Sequence, residues 1–282
     1  MNFRKFLLNI IIFILFLALY QFLIFVYSSG VFFYKYFFVK ERNLPELYGK
    51  NSYAIITGGS SGQGKQIALN LAQRGFNIFL IGSQRSENTI QEINEKYPEI
   101  KTELIVKDFR KSFEKDFFSD IEEKINKLDG NISMLVNNVA HRTAWDPYHK
   151  MPVKLIKDTI SCGTLVQAQL THMIIPFFLK RSNKSAIINI TAQCNHPNFG
   201  PGMILSNDIS VPYLSVYEAS NAFGYYHSNS IHKEYKNKID IQTTFVKKYL
   251  FNLKDFKTKF ISFIYDLFKI RSALVIIIDR HF

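Results

Sequence analysis

Tyr217, in the stretch VYEASNAF, stands four residues ahead of Asn221. On a helix, that spacing puts two side chains on one face. A phenol so placed can pass a proton to a substrate oxygen, provided a nearby cation lowers its pKa from about 10. Asn221 brings no charge, so Tyr217 has the proton without the electrostatic partner. A second stretch, TGGSSGQGK, offers different chemistry. Gly58, Gly62 and Gly64 allow a tight turn and close approach of the backbone, with Ser60, Ser61, Gln63 and Lys65 between and after them. Backbone amides gathered at a helix start hold a pyrophosphate.

Both stretches need rigid elements to position them. Residues 52–57 (SYAIIT) form a short apolar run that stops at glycines, which predicts a buried strand. Ile67, Ala68, Leu71 and Ala72 then recur at helical spacing, and Gly75 sits where a helix would end. Further strands are predicted at 76–82, 102–109, 133–138, 185–191 and 239–246. Helices are predicted between them: a polar one over 86–97, one around Phe117, Ile121 and Ile125, a long one through Leu165 to Leu179, and one over 217–238. Strands alternating with helices imply an α/β fold, a Rossmann-type doubly wound parallel sheet.

The glycine turn, flanked by a strand and a helix, predicts a dinucleotide site. An acid closing the second strand would select NAD(H) by bonding the ribose 2′-hydroxyl. Here Gly82, Ser83, Gln84 and Arg85 follow the strand instead. Arg85 and Lys65 could pair with a 2′-phosphate, which favours NADP(H); NAD(H), or an empty pocket, is the alternative. Asp108, closing the third strand, could accept a bond from the adenine amino group.

From Phe6 to Tyr34 no residue is charged, a run long enough to cross about 30 Å of hydrocarbon. The run is bulky throughout and longer than a signal peptide's apolar region, so it reads as a single-pass anchor. The organisation expected is a transmembrane anchor over 1–40, a linker over 41–50, the Rossmann-like domain over 51–250 and a basic amphipathic tail over 251–282. A net charge of +12 favours anionic lipid surfaces or acidic partners. The lysines are scattered rather than striped, and no basic-aromatic reader motif appears, which argues against nucleic acid. Cys162 and Cys194 form no CxxC and the histidines no metal spacing, so no metal site is expected.

The T-G-x-x-x-G-x-G turn, LVNNVA (135–140) and Tyr217, in that order, resemble the short-chain dehydrogenase/reductases over about residues 50–250. LVNNV, the anchor and HKEY (232–235) resemble most the branch of membrane-bound 17β-hydroxysteroid dehydrogenases and very-long-chain 3-oxoacyl-CoA reductases. The resemblance implies a cofactor contact at Asn137. It also implies a catalytic set of Tyr, Lys, Ser and Asn. Tyr217 remains, but Asn221, Ala192 and Gly163 occupy the Lys, Ser and Asn positions. Thr191, just before Ala192, is expected to point to the other face. Residues 193–216 form an insert about twice the family's usual gap, suited to a lid or a docking arm. The expectation is a catalytically impaired fold. It would keep a dinucleotide and serve as an anchored accessory subunit among other membrane-complex subunits, with the mitochondrial inner membrane favoured. The alternative is an NADPH-dependent reductase of steroid-like ketones or 3-oxoacyl-CoA in the endoplasmic reticulum membrane.

Overall fold

A run dominated by Leu, Ile and Phe leaves the first segment one regular option, because only a helix satisfies its own backbone within an apolar run. In the computed structural model this is α1, Phe3–Phe37. Residues Leu8–Val31 within it are long and apolar enough to cross a membrane, and none of that window is buried. The structure describes residues 3–37, 43–128, 131–141, 146–192 and 212–246. The chain forms two compact units; α1 is the described part of the first, and the α/β domain belongs to the second.

The domain alternates β1 (Tyr53–Thr57), α3 (Gly62–Gln73), β2 (Asn77–Gly82), α4 (Ser86–Lys96), β3 (Thr102–Val106), α5 (Ser119–Asn126) and β4 (Ile132–Asn137). It continues through α6 (Val153–Ile160), α7 (Val166–Leu179), β5 (Ser185–Ala192), α8 (Ser215–Tyr235) and β6 (Ile239–Val246). All six strands are parallel, in the order β3-β2-β1-β4-β5-β6. This is the doubly wound sheet expected from the alternation.

Alternation within strands builds two cores. Ala54, Ile56, Ile78 and Leu80 face one side and pack with Ile67, Leu71 and Ile93 of α3 and α4. Ile55, Phe79 and Ile81 face the other and pack with Ile121 and Ile125 of α5 and Val166, Leu170 and Phe178 of α7. A strand covered on both faces must be apolar at every position, which is why β1 and β2 read as continuous runs. The stretch Val153–Leu179 also passes a length-and-composition test for a span. Its buried apolar residues, Cys162, Val166, Leu170, Ile174 and Phe178, belong to the second core, so it serves the domain.

Three features differ from the expected elements. The third strand stops at Val106, because the Asp108 side chain accepts from the Arg110 backbone and starts a one-turn 3-10 helix, Phe109–Lys111. The expected long helix is present as α7, but ahead of it stand α6 and a π turn, Ser161–Leu165, that were not expected. Within residues 41–50 lies α2, Leu44–Tyr48, whose Leu44 and Tyr48 are each 2% exposed in the first core. The Tyr48 hydroxyl donates to Asp240 at 2.9 Å, Lys184 donates to the same carboxylate at 3.0 Å, and Arg181 donates to the Tyr48 carbonyl at 2.5 Å. This clamp ties the entry of the domain to the starts of β5 and β6. Of the 193–216 insert, 193–211 lie outside the described residues, and Ser215 and Val216 already belong to α8. The tail, 251–282, also lies outside them.

Candidate active site

The glycine turn leaves β1 and enters α3. Gly58 (φ 69) and Gly62 (φ 56) take left-handed conformations that a side chain would strain. At Gly64 a Cβ would fall 2.4 Å from both the Gly58 carbonyl oxygen and the Asn138 amide nitrogen. No side chain caps α3 at Ser61, which leaves its first amides available. An anionic pyrophosphate fits this cradle by charge and by shape. Asn138 fastens the turn, with its side chain donating to Thr57 O (3.2 Å) and Gly58 O (3.1 Å). Thr57 Oγ1 accepts from the Asn138 amide at 2.9 Å. Asn138 fastens the turn; its neighbour Asn137, the last residue of β4, is buried, donates to Asn189 (2.7 Å) and Thr171 (3.3 Å), and lines the space beside Tyr217 described below.

On the adenosine side, β2 ends at Gly82 without an acid. Lys65 is ion-paired with Glu92 at 2.6 Å, and Lys96 takes the other oxygen at 2.6 Å. These two ammonium groups, Lys65 first, hold the Glu92 carboxyl down to about 2. Arg85 is exposed just ahead of α4 and has no such pair among the described residues. Asp108 receives two guanidinium nitrogens of Arg110, the shortest contact being 2.6 Å. This pairing holds the carboxyl below its ordinary value. An adenine amino group would have to share that carboxylate.

Tyr217, Asn221 and Gly163 do converge, around a space of about 20 Å³. One water needs about 10–15 Å³ by this measure, so the space takes roughly one. Asn221 turns back on its own helix and donates to the Tyr217 carbonyl at 2.7 Å. A Cβ at Gly163 would come within 3.0 Å of Ser220 Cβ, so Ser220 crowds the direction a longer side chain would take. Ala192 is the last residue of β5.

Thr191 corrects an expectation. It lines the space, is 6% exposed, and its Oγ1 has no hydrogen-bond partner among the described residues. The reason lies in the register of β5. Asn189 donates to Ser228 of α8 at 2.7 Å, and a Cβ at Gly224 of α8 would lie 2.7 Å from Thr191 Cγ2. Residues 189 and 191 therefore share the α8 face. Two more groups there were not singled out. His141 lines the space with a buried, unpartnered Nδ1, and Gln167 contacts His227 at 3.3 Å. Burial pushes the His227 imidazole pKa down. His141 directly follows LVNNVA, a position that was its only signal. No Lys or Arg lines the space among the described residues.

Cys162 also lines it, and burial pushes its thiol up to about 12. At pH 8 its thiolate fraction is then on the order of 10⁻⁴. Iodoacetamide at pH 8 is expected to spare Cys162 in the folded chain and modify it only after denaturation, read by peptide mass spectrometry.

Residues 52–247 match the short chain dehydrogenase family, and the chain belongs to it. Among relatives, the very-long-chain 3-oxoacyl-CoA reductase of Bos taurus is 32% identical over 191 residues, covering 66% of this chain and 55% of that protein. Hydroxysteroid dehydrogenase-like protein 1 of Gallus gallus is 30% identical over 204 residues, covering 71% and 55%. The chain thus spans about half the length of the curated relatives it matches. A metagenomic short-chain oxidoreductase solved in complex with NADP superposes with a TM-score of 0.58 at 20% identity, over 69% of this chain and 81% of that one. That likeness is one of fold.

Proposed function

We propose that this chain is a membrane-anchored member of the family that holds a dinucleotide without classical carbonyl reduction. It serves as an accessory subunit of a larger membrane assembly. The observation that carries the reading is Asn221, uncharged, turned back onto the Tyr217 carbonyl, in a space with no Lys or Arg among the described residues. A phenol passes a proton readily at neutral pH when a neighbouring cation favours its phenolate, and Asn221, at the position the family fills with Lys, supplies no charge. The glycine cradle keeps its fit to a pyrophosphate. The cofactor, when bound, would supply hydride chemistry; the cradle residues would hold its phosphates.

NADP(H) is the cofactor favoured, through Arg85. Lys65 would contribute only after leaving Glu92, so Glu92→Gln is expected to raise the preference for NADPH over NADH by roughly fivefold. Calorimetric titration of both nucleotides checks this. The mitochondrial inner membrane is the compartment proposed, by analogy with the large assemblies found there. Fractionation of source cells tests it.

A second reading is an NADPH-dependent reductase of 3-oxoacyl-CoA or steroid-like ketones. The reductase named among the relatives favours it, as do the unpartnered Thr191 hydroxyl and His141 nitrogen beside Tyr217. One experiment separates the two. The full chain, purified in mild detergent, is given NADPH and 3-oxoacyl-CoA. The expected result is micromolar nucleotide binding and no turnover above blank. Turnover that disappears in Tyr217→Phe would establish the reductase instead. On a native gel of mild membrane extracts, migration far above a dimer is expected for the accessory role; a monomer or dimer would defeat it.

A further inference from the structure

Every strand is parallel, so all loops leading into strands lie at one end of the sheet and all loops leaving them at the other. The two ends carry their charge differently. Leading into strands are Lys50 before β1, Lys101 before β3, Lys180 before β5, and Lys236 and Lys238 before β6. All five are exposed, and none has an ion pair among the described residues. In the same loops Glu99 is the one acid among the described residues. At the other end acids share the loops, Asp108, Glu114, Asp116 and Asp146 among the described residues; Lys107 is paired with Asp120 and Arg110 with Asp108, while Arg85, Lys115 and Lys150 are exposed without an ion pair there.

The basic end is also braced. Ser185 N donates to Lys238 O at 3.2 Å and Ile78 N to Lys101 O at 2.9 Å. The Tyr48–Asp240–Lys184 clamp lies among the same loops. The lysines therefore stand on fixed backbone, and docking them orders side chains only.

We infer that this end of the domain docks on an anionic bilayer surface. Two independent observations select that partner. The charge is complementary to anionic headgroups, and the chain enters the domain at this end: Leu44 and Tyr48, in the core here, follow soon after the uncharged run that closes at Tyr34. The inference rests on the anchor reading and not on the catalytic one, so turnover by the chain would leave it standing. Its consequence is that the glycine cradle, at the opposite end of the strands, opens away from the bilayer. Each lysine near an anionic surface contributes roughly a fivefold bias, so removing all five shifts docking by on the order of 10³.

The test uses the full chain with Cys194→Ser, reconstituted in phosphatidylcholine vesicles with or without about 30% phosphatidylserine. A fluorophore is placed through Asn237→Cys in one sample and Gln84→Cys in another, and nitroxide headgroups serve as quencher. The expected result is strong quenching at 237 only with phosphatidylserine, and little at 84. That quenching should be lost in about 0.5 M salt, and lost when the five lysines are changed to Gln with the melting temperature retained. Equal quenching at 237 with and without phosphatidylserine, or stronger quenching at 84, would overturn the inference. So would quenching that survives removal of the lysines. In those cases the face is left for an acidic protein.

Discussion

Gly64→Ala is expected to cut dinucleotide affinity by at least about 100-fold, equivalent to roughly 2.7 kcal/mol. The added Cβ would lie 2.4 Å from the Gly58 carbonyl oxygen and 2.4 Å from the Asn138 amide nitrogen. Neither can yield freely. Gly58 is held by its amide donating to Ile81 O at 3.0 Å, and Asn138 by three bonds to Thr57 and Gly58. The turn must therefore open, and the amides at the start of α3 lose their shared aim. Overpacking at such a site typically costs about 1–3 kcal/mol of stability as well. Titration with NADPH reads the affinity, and thermal unfolding of the same sample reads the stability. Retained affinity would show that the anion is held elsewhere; a collapsed fold would appear as a lost transition.

Asp240→Ala is expected to remove roughly 2–4 kcal/mol, because two donors lose one buried acceptor. Tyr48 is 2% exposed, so its hydroxyl has no water to turn to, whereas Lys184 is partly exposed and recovers some hydration. For a domain of this size the melting temperature should fall by about 5–12 °C. Asp240→Asn keeps an acceptor for Tyr48 and should cost less than half as much. Tyr48→Phe combined with Asp240→Ala should be less than additive, because both remove the same bond.

The frame of the molecule was readable wherever burial imposes a period. β1, β2 and β4 are covered on both faces, so their residues are mostly apolar, with Ser133 the one polar residue inside any of the three, and their ends fall within a residue of the expected ones. The glycine turn was readable because a close approach leaves a residue type no freedom. Side-chain partners were not readable. Lys65 looked available for a phosphate, yet its partner Glu92 lies on another helix, and no local pattern links the two. Asn138 and Asn137 are adjacent and identical in type, so only geometry assigns the loop to one and the buried network to the other. Thr191 was placed on the wrong face because the strand's register against α8 depends on Ser228 and Gly224, far along the chain. Leu44 and Tyr48 looked like part of a polar connection, because two core residues in ten make no period.

The Tyr48 clamp has a mechanical meaning. A chain held in a membrane at its N-terminal side feels any drag on the domain as a pull on the segment ahead of β1. The first elements to bear that load are the Tyr48–Asp240 and Arg181–Tyr48 bonds, which spread it to the starts of β6 and β5. Beyond them lies β1, flanked on both sides by parallel partners, β2 and β4. Pulling such a strand along its axis loads both ladders in shear, so their bonds must break together rather than one after another. Under the proposed anchoring, a pull from the N-terminal side therefore meets ladders that resist it together.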